Sequence, residues 1–397
     1  MEGLLPPRSS PGVSLVQLAD CIEQLLKFIL SSCVDRTLEI DLGLSEEYCS
    51  NLLRADPSDG NFDVGDVAEG MPHYPLYKSL TSALYQCITS RAFKRTSNKL
   101  VLAQEDESFK QKEHDWNNII LEKGSELTNV LKTVGFELHV QEPFFSQLRD
   151  GTKTIEGRCA VGDYNKIGPG SLLLLNKCFM LEVQDVKKYA SFYEMLEMED
   201  LLKVLPGIKG IEEGVQIYQK FYTEEKEKAN GVLAICVSIP ATQPYLSLAR
   251  IICELSYEGI GTLLGLKHTV GTLPESLPPP RSALLSSFMM LQNPNVKGST
   301  LTKGARALAK HVNRSSDGWW GSFQGNDSDK NRIALEVIKN IISHCCWTNI
   351  HVVPPYGGVL EIRVADGYGA RWFKDGSEFI GFLEPYMEDG HSKGWRH

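Results

Sequence analysis

Four chemically distinctive residues stand close together near the middle of the chain: Gly151, Lys153, Glu156 and Arg158, with the spacing G-x-K-x-x-E-x-R. Arginine offers a planar pair of donors that matches a phosphate or a base edge, and lysine offers a compact charge for phosphate. Glutamate can accept from a base amino group or orient a neighbouring cation. The pattern therefore predicts a site that reads a nucleotide. The alternative is an exposed ion-pair ladder of small energetic value.

The local geometry of this segment follows from the residue types. Gly151 is predicted to end the preceding helix, because glycine tolerates the positive φ of a helix C-terminus. In an extended segment, Glu156 and Arg158 share one face. Lys153 then faces the other way, unless a turn redirects it.

Strands and helices on both sides must position these residues. A strand at 137–140 and a helix at 142–148 are predicted before the motif, with Pro143 near the first turn of the helix. After it come apolar runs at 171–175 and 178–183, acidic helices at about 192–205 and 212–227, and a closing strand at 232–239. The acidic helices are interpreted as a solvated face or a partner surface. Strands and helices mixed at this spacing predict an α+β barrel.

The motif and its flanks resemble the ASCH (activating-signal-cointegrator homology) domain, a member of the PUA-like β-barrel superfamily. All four signature positions match, and the resemblance spans residues 136–240. It implies a barrel with a cleft beside the signature, which binds nucleic acid, most often RNA, or a modified nucleoside. It also implies a role in RNA processing or transcription coactivation.

The resemblance leaves catalysis open. Some members look like enzymes that remove an acyl group from a modified cytidine with a lysine, a threonine three residues later and a distant glutamate. Here Glu156 occupies the threonine position, so that nucleophile is missing. Other members look like ribonucleases, in which Lys153 would stabilise charge and Glu156 would act as general base. The sequence favours binding without catalysis, and the alternative is a hydrolase acting on RNA or a modified nucleoside.

Further contacts to single-stranded nucleic acid are predicted from aromatic residues interleaved with cations. The surface candidates are Tyr164, Lys166, Lys187 and Lys188. Phe144 and Phe145 are expected in the core.

The whole chain is predicted to be α+β, with a PUA-like β-barrel between a helical N-terminal region and a small α+β C-terminal domain. The expected boundaries are 1–134 for the helical region, 135–245 for the barrel, 246–299 for a helical extension with a Pro-rich linker, and 300–397 for the last domain. Helices are predicted at 15–30, 45–53, 77–93, 113–133, 304–310 and 331–343, and C-terminal strands at 348–353, 359–364, 370–374 and 379–383.

The C-terminal domain carries a possible second site made of Arg363, Arg371 and His391. Glu361 and Arg363 share a strand face, and Arg371 can stand beside them if residues 367–369 form a turn. The histidines of this region lack H-E-x-x-H or H-x-E-x-H spacing. No metal and no other cofactor are therefore predicted.

Composition sets the outer limits. The formal net charge of −9 excludes a protein that coats nucleic acid by bulk electrostatics, so any such contact must be local. The ten cysteines are scattered and favour reduced thiols. The apolar stretch at 15–30 is broken by charges, which disfavours a membrane span, and the N-terminus lacks a secretory signal.

These observations predict a cytoplasmic or nuclear protein that binds RNA or another single-stranded nucleic acid, without a membrane. A protein partner is expected at the helical N-terminal region. The sequence leaves open RNA against DNA or a modified nucleoside, the identity of the partner, and the oligomeric state.

Overall fold

The structure, a computed structural model, describes residues 17–56, 70–95, 107–314 and 318–385. The described residues divide into two compact units, each built from segments that are distant in the sequence. One unit takes residues from 1–29 and 122–249, and the other takes residues from 30–121 and 250–397. The first contains a five-stranded sheet and the second a four-stranded sheet. The predicted α+β class is confirmed.

The N-terminal helices lie near their predicted positions. They are α1 (Leu18–Val34), α2 (Glu46–Leu53), α3 (Leu76–Ser90) and α4 (Glu107–Lys132). The hydroxyl of Ser45 caps α2 by accepting a hydrogen bond from the backbone N–H of Tyr48. None of the helices in the described part of the chain has the length and apolar composition needed to cross a membrane.

The first sheet curls into a half-barrel. Its strands are β1 (Phe136–Leu138), β2 (Ile155–Cys159), β3 (Leu172–Leu175), β4 (Phe179–Tyr189) and β5 (Val232–Ser238), in the order β1-β3-β4-β5-β2. The β1–β3 pair is parallel, whereas the other pairs are antiparallel. A register shift in β4 between Val183 and Asp185 marks a bulge, which increases local twist and helps a sheet to curl.

Short helices pack around this sheet. They are α5 (Phe144–Arg149), α6 (Phe192–Met198), α7 (Leu201–Val204), α8 (Ile211–Gln219) and α9 (Glu224–Asn230), and α10 (Pro244–Leu263) follows β5. Phe192 and Met195 of α6 and Tyr218 of α8 are buried in one apolar cluster with Ile155 and Val232 of the sheet. The acidic segment that the sequence presented as a solvated face therefore has an inner apolar face against the half-barrel.

The second sheet is an antiparallel meander of β6 (Trp347–Val353), β7 (Gly357–Arg363), β8 (Gly369–Phe373) and β9 (Phe379–Leu383). The ends of all four strands lie within two residues of their predicted ends. Three helices accompany them: α11 (Arg281–Phe288), α12 (Lys303–Arg314) and α13 (Asp327–His344). Ile338 and Ile342 of α13 share a fully buried core with Leu360 and Ile362 of β7 and Trp372 of β8.

The Pro-rich linker predicted within 246–299 is wrong in one respect, because α11 lies within this range. Pro280 precedes this helix, at a position where proline costs no backbone hydrogen bond. Leu284 and Phe288 of α11 are fully buried in the core of the second sheet. The prolines thus precede a helix that packs in the core. The high proline content of the segment gave no indication of the apolar face of this helix.

Replacing Phe288 by alanine tests this correction. We expect Phe288→Ala to lower the free energy of unfolding by about 3–5 kcal/mol, since it removes a fully buried ring. Met290→Ala is the control, because that side chain is 50% exposed and should change stability by less than about 0.5 kcal/mol. Chemical denaturation measures both. If both variants lowered the free energy of unfolding by the same small amount, the segment would be a linker after all.

Candidate functional site

A pocket of 440 Å³ opens beside β2 in the first unit. Its wall includes residues from β2, the turn before it, α5, α8 and the segment that follows α8. The aromatic side chains that line it are Phe144, Tyr164, Tyr218, Phe221 and Tyr222, and its polar side chains include Lys153, Glu156 and Arg158. Three of the four signature residues therefore face one pocket.

A turn before β2 brings the signature residues together. Gly151 has φ +77° directly after α5, so the chain reverses at a position that favours glycine. Lys153 lies in this turn, and its backbone N–H donates to the carbonyl of Gln147 at 2.9 Å. Its ammonium consequently lies 3.2 Å from Glu156. The turn redirects Lys153 away from the position that strict strand alternation predicts.

Lys153 is a buried anchor. Its side chain is 1% exposed, and its Nζ donates to the carbonyls of Ile155, at 2.8 Å, and Val204. Together with the ion pair to Glu156, these contacts use all three ammonium protons. The sequence predicted that this ammonium contacts phosphate. In the structure, its hydrogen bonds and its ion pair are instead made to other groups of the protein.

Glu156 and Arg158 share one face of β2, as strand alternation predicts. Nε of Arg158 donates to Oε1 of Glu156 at 2.8 Å, and its Nη2 donates to the carbonyl of His139 at 2.8 Å. Glu156 thus lies between two cations, Lys153 on one carboxylate oxygen and Arg158 on the other.

The pKa of the Glu156 carboxyl results from opposing effects. Burial alone would raise this pKa, but the charges of Lys153 and Arg158 outweigh burial and hold it below its usual range. Burial lowers the pKa of Lys153 despite Glu156, whereas Glu156 raises the pKa of Arg158 despite burial. Glu156 is therefore ionised at neutral pH, so that it can accept hydrogen bonds but donate none.

Tyr218 brings a buried hydroxyl to the pocket. Its ring stacks on Phe192, with centroids 4.1 Å apart and an interplanar angle of 9°. A Cβ at Gly157 would overlap the hydroxyl oxygen of Tyr218, so this close approach requires glycine. Within the described residues, this hydroxyl lies against the backbone N–H of Gly157, and no side chain forms a hydrogen bond with it. Its own proton is therefore left for a ligand in the pocket.

The other predicted surface residues divide into two groups. Tyr164 lines the pocket, in the short 3-10 helix Gly162–Lys166. Lys166 instead pairs with Asp163 at 2.6 Å, and Lys187 pairs with Glu199 at 2.9 Å. Lys188 is exposed on β4, and it does not line the pocket.

Several pocket residues were missed by the sequence analysis. Phe144 was expected in the core, but it lines the pocket, with its ring centroid 5.8 Å from Nζ of Lys153. Tyr218, Phe221 and Tyr222 belong to the segment interpreted as a solvated or partner surface. The spacing of four between Tyr218 and Tyr222 was the available signal, because it places both rings on one side of the helix predicted at 212–227. α8 ends at Gln219, but the backbone N–H of Tyr222 still donates to the carbonyl of Tyr218 at 2.9 Å.

The structure also joins two of the three residues of the possible second site. Nε of Arg363 donates to Oε1 of Glu361 at 2.6 Å, and Nη2 of Arg371 donates to Oε2 at 2.6 Å. Nε2 of His351 lies 3.4 Å from the same Oε2. His391 lies outside the described residues.

Burial alone would raise the pKa of Glu361. The hydrogen bond with His351 and the charges of Arg363 and Arg371 outweigh burial and hold this pKa well below its usual range. Glu361 is therefore a carboxylate surrounded by cations, like Glu156. In the described part of the chain, no group of three His, Cys, Asp or Glu residues could hold a metal ion.

Comparisons with known proteins identify two segments. A family model described as ASCH domain matches residues 138–241, and one described as CdiA C-terminal tRNase toxin domain matches residues 291–384. The crystal structure of hypothetical protein PH0355 is 40% identical over 26% of this chain and 98% of its own, with a TM-score of 0.26. The solution structure of protein PF0455 from Pyrococcus furiosus is 41% identical over 27% of this chain and 98% of its own, with a TM-score of 0.25. No curated protein matches the chain.

Removing the ammonium of Lys153 tests its role as an anchor. We expect Lys153→Met to lower the free energy of unfolding by about 3–5 kcal/mol, because Glu156 and two carbonyls lose a buried partner. Lys166→Met is the matched control, since that lysine pairs with Asp163 while 70% exposed, and it should cost less than about 1 kcal/mol. Denaturant titration compares the two. Losses of similar size would rule out an anchoring role.

The low pKa of Glu361 makes stability depend on pH. A carboxyl whose folded-state pKa is depressed stabilises the protein above the unfolded-state pKa, and this contribution is lost as pH falls through the folded-state pKa. We expect Tm to fall between about pH 5 and pH 2, and to fall less steeply in Glu361→Gln. Glu336→Gln, on the exposed side of α13, is the control. A profile unchanged by Glu361→Gln would contradict this assignment.

Proposed function

Because residues 138–241 are an ASCH domain, we propose that the protein binds RNA and that the pocket beside β2 receives one unstacked nucleobase. The observation that carries this proposal is an aromatic-lined pocket whose wall contains an ionised carboxylate, an arginine and a buried tyrosine hydroxyl that no described side chain hydrogen-bonds. At the family level, the ASCH domain indicates RNA binding.

The aromatic rings supply sequence-tolerant affinity. A base freed from its neighbours can stack on Tyr164, Phe221 or Tyr222, and such stacking contributes about 1–3 kcal/mol per base. Since the chain is acidic overall, these local contacts must replace the broad positive surface of proteins that coat RNA.

The polar groups supply the choice of base. Glu156 accepts from an amino or imino group of the base, and the hydroxyl of Tyr218 can donate or accept beside it. Arg158 can contact a base acceptor or a phosphate. Lys153 acts indirectly, because it holds Glu156 in place.

Several finer expectations stay predictions. They are the boundaries at 134, 245 and 299, a protein partner for residues 1–134, a cytoplasmic or nuclear location, and a role in RNA processing or transcription coactivation.

Binding by the full chain tests the pocket. We expect labelled single-stranded RNA to bind, and Tyr222→Ala to weaken the affinity by about 5- to 100-fold, since it removes a stacking surface. Tyr222→Phe keeps the ring and should bind within about threefold of the wild type. Lys188→Ala is the control, because Lys188 does not line the pocket. Fluorescence anisotropy at two salt concentrations measures these values.

The outcomes distinguish RNA contact through the pocket from RNA contact through the surface of β4. Failure of the wild type to bind RNA would overturn the proposal. A loss in Lys188→Ala that equals the loss in Tyr222→Ala would move the contact from the pocket to β4. Tighter binding of DNA than of RNA would reassign the ligand.

The C-terminal domain favours a second candidate function, the cleavage of RNA. Support comes from the match of residues 291–384 to a family model whose description names a tRNase toxin domain. This segment contains β6–β9 together with Glu361 and its cationic neighbours. Incubating the purified chain with tRNA and resolving the products on a denaturing gel tests it, and intact tRNA would refute it.

A further inference from the structure

The second sheet has one face covered by helices and one polar face. Ile350, Leu360 and Trp372 lie in the core shared with α13. Because side chains alternate along a strand, the neighbouring residues His351, Glu361 and Arg371 lie on the opposite face. The register pairs Glu361 with Arg371 directly across β7 and β8, so the sheet itself fixes this group.

This polar face carries more positive than negative charge. Glu361 accepts from Arg363 at 2.6 Å and from Arg371 at 2.6 Å, so one carboxylate balances only one of two permanently charged guanidinium groups. Glu361 has a side-chain exposure of 5%, against 12% for Arg363 and 10% for Arg371. The carboxylate is thus more deeply buried than the cations, which is an arrangement suited to an anionic ligand.

Arg371 keeps a donor for that ligand. Its Nε and Nη2 donate to Oε2 of Glu361. In the described part of the chain, no residue accepts from Nη1. A guanidinium held on one edge by a carboxylate presents its other edge in a fixed direction, as phosphate recognition requires.

His351 has the arrangement of an oriented acid–base group. Its Nε2 lies 3.4 Å from Glu361, so the carboxylate favours the tautomer that carries the proton on Nε2. No described residue forms a hydrogen bond with Nδ1, whose lone pair is then available. A carboxylate that fixes the tautomer of a histidine is the arrangement by which hydrolases prepare a general base.

We propose that His351 and Arg371 form a catalytic centre that cleaves the phosphodiester backbone of RNA. Arg371 binds the scissile phosphate, and His351 removes the proton of the 2′-hydroxyl. Glu361 and Arg363 are positioning residues, because Arg363 donates from Nε to Glu361 and from Nη1 to the carbonyls of Gly367 and Glu384. This inference rests on the RNA cleavage proposed above and adds the residues and the type of bond broken.

The step balances without an oxidant or a reductant. O2′ forms a bond to phosphorus, and the bond between phosphorus and O5′ breaks. Nδ1 of His351 takes the 2′-hydroxyl proton, O5′ takes a proton from water, and the imidazolium neutralises the resulting hydroxide. The products are a 2′,3′-cyclic phosphate and a 5′-hydroxyl. General acid–base catalysis of this kind contributes about 10²- to 10⁴-fold to the rate.

The test uses the full chain with tRNA and with a matched oligonucleotide that has 2′-deoxy sugars. We expect cleavage of tRNA alone, with a cyclic phosphate at the new 3′ end. His351→Gln should lower kcat at least about 100-fold. Arg371→Lys, which keeps the charge but loses the planar fork, should lower kcat/KM about 10-fold or more. His344→Gln is the control, because His344 is exposed at the end of α13 and contacts the carbonyl of Asn340.

Conservative replacement tests the positioning role of Glu361. Glu361→Asp keeps the charge that orients His351 and Arg371, so it should retain more of the wild-type kcat than Glu361→Gln. A purely structural role would give the two variants the same kcat. Thermal unfolding of each variant confirms that it is folded.

Each outcome is decisive for one proposal. Cleavage with full activity in His351→Gln, or cleavage of the 2′-deoxy oligonucleotide, would overturn the catalytic assignment and leave RNA cleavage standing. Intact tRNA with the wild-type chain would overturn RNA cleavage itself, and the assignment with it.

Discussion

The buried ion pair between Lys153 and Glu156 is the interaction on which the pocket of the first unit depends. A buried charge is tolerated only when it is paired and its remaining hydrogen bonds are satisfied. Lys153 meets this condition with two carbonyls and one carboxylate oxygen, which fixes the turn before β2 and the position of Glu156 together. The remaining carboxylate oxygen holds Arg158, so one buried lysine organises the polar wall of the pocket.

The second unit also contains a buried carboxylate that is paired with cations, but here the carboxylate is the more deeply buried charge. Glu361 lies beneath its partners and pairs with arginines from its own strand and from β8. In the first unit, the cation is buried and the carboxylate lies in the pocket wall; in the second, the carboxylate is buried and the cations are nearer to solvent. The first arrangement suits recognition of hydrogen-bond donors on a base, whereas the second suits a phosphate.

Recognition and cleavage proposed in one chain have a simple energetic rationale. A module that binds one base by stacking and a few hydrogen bonds gives modest affinity, and an acidic protein gains little from bulk electrostatics. Covalent linkage raises the effective concentration of a bound strand for a second site. A weak binding module can therefore increase the turnover of a tethered catalytic domain.

The amino-acid sequence alone was enough to predict the class of the fold, the strands of both sheets and the signature segment, because these depend on local periodicity, on turn residues and on a short motif. It also placed Glu361, Arg363 and Arg371 together, since strand alternation and one turn suffice for that. Three results came from the packing of the chain: Lys153 is fully buried, Tyr218 and Tyr222 face the signature, and α11 packs within a proline-rich segment. Each of these results depends on contacts between residues distant in the sequence, which spacing along the chain does not encode.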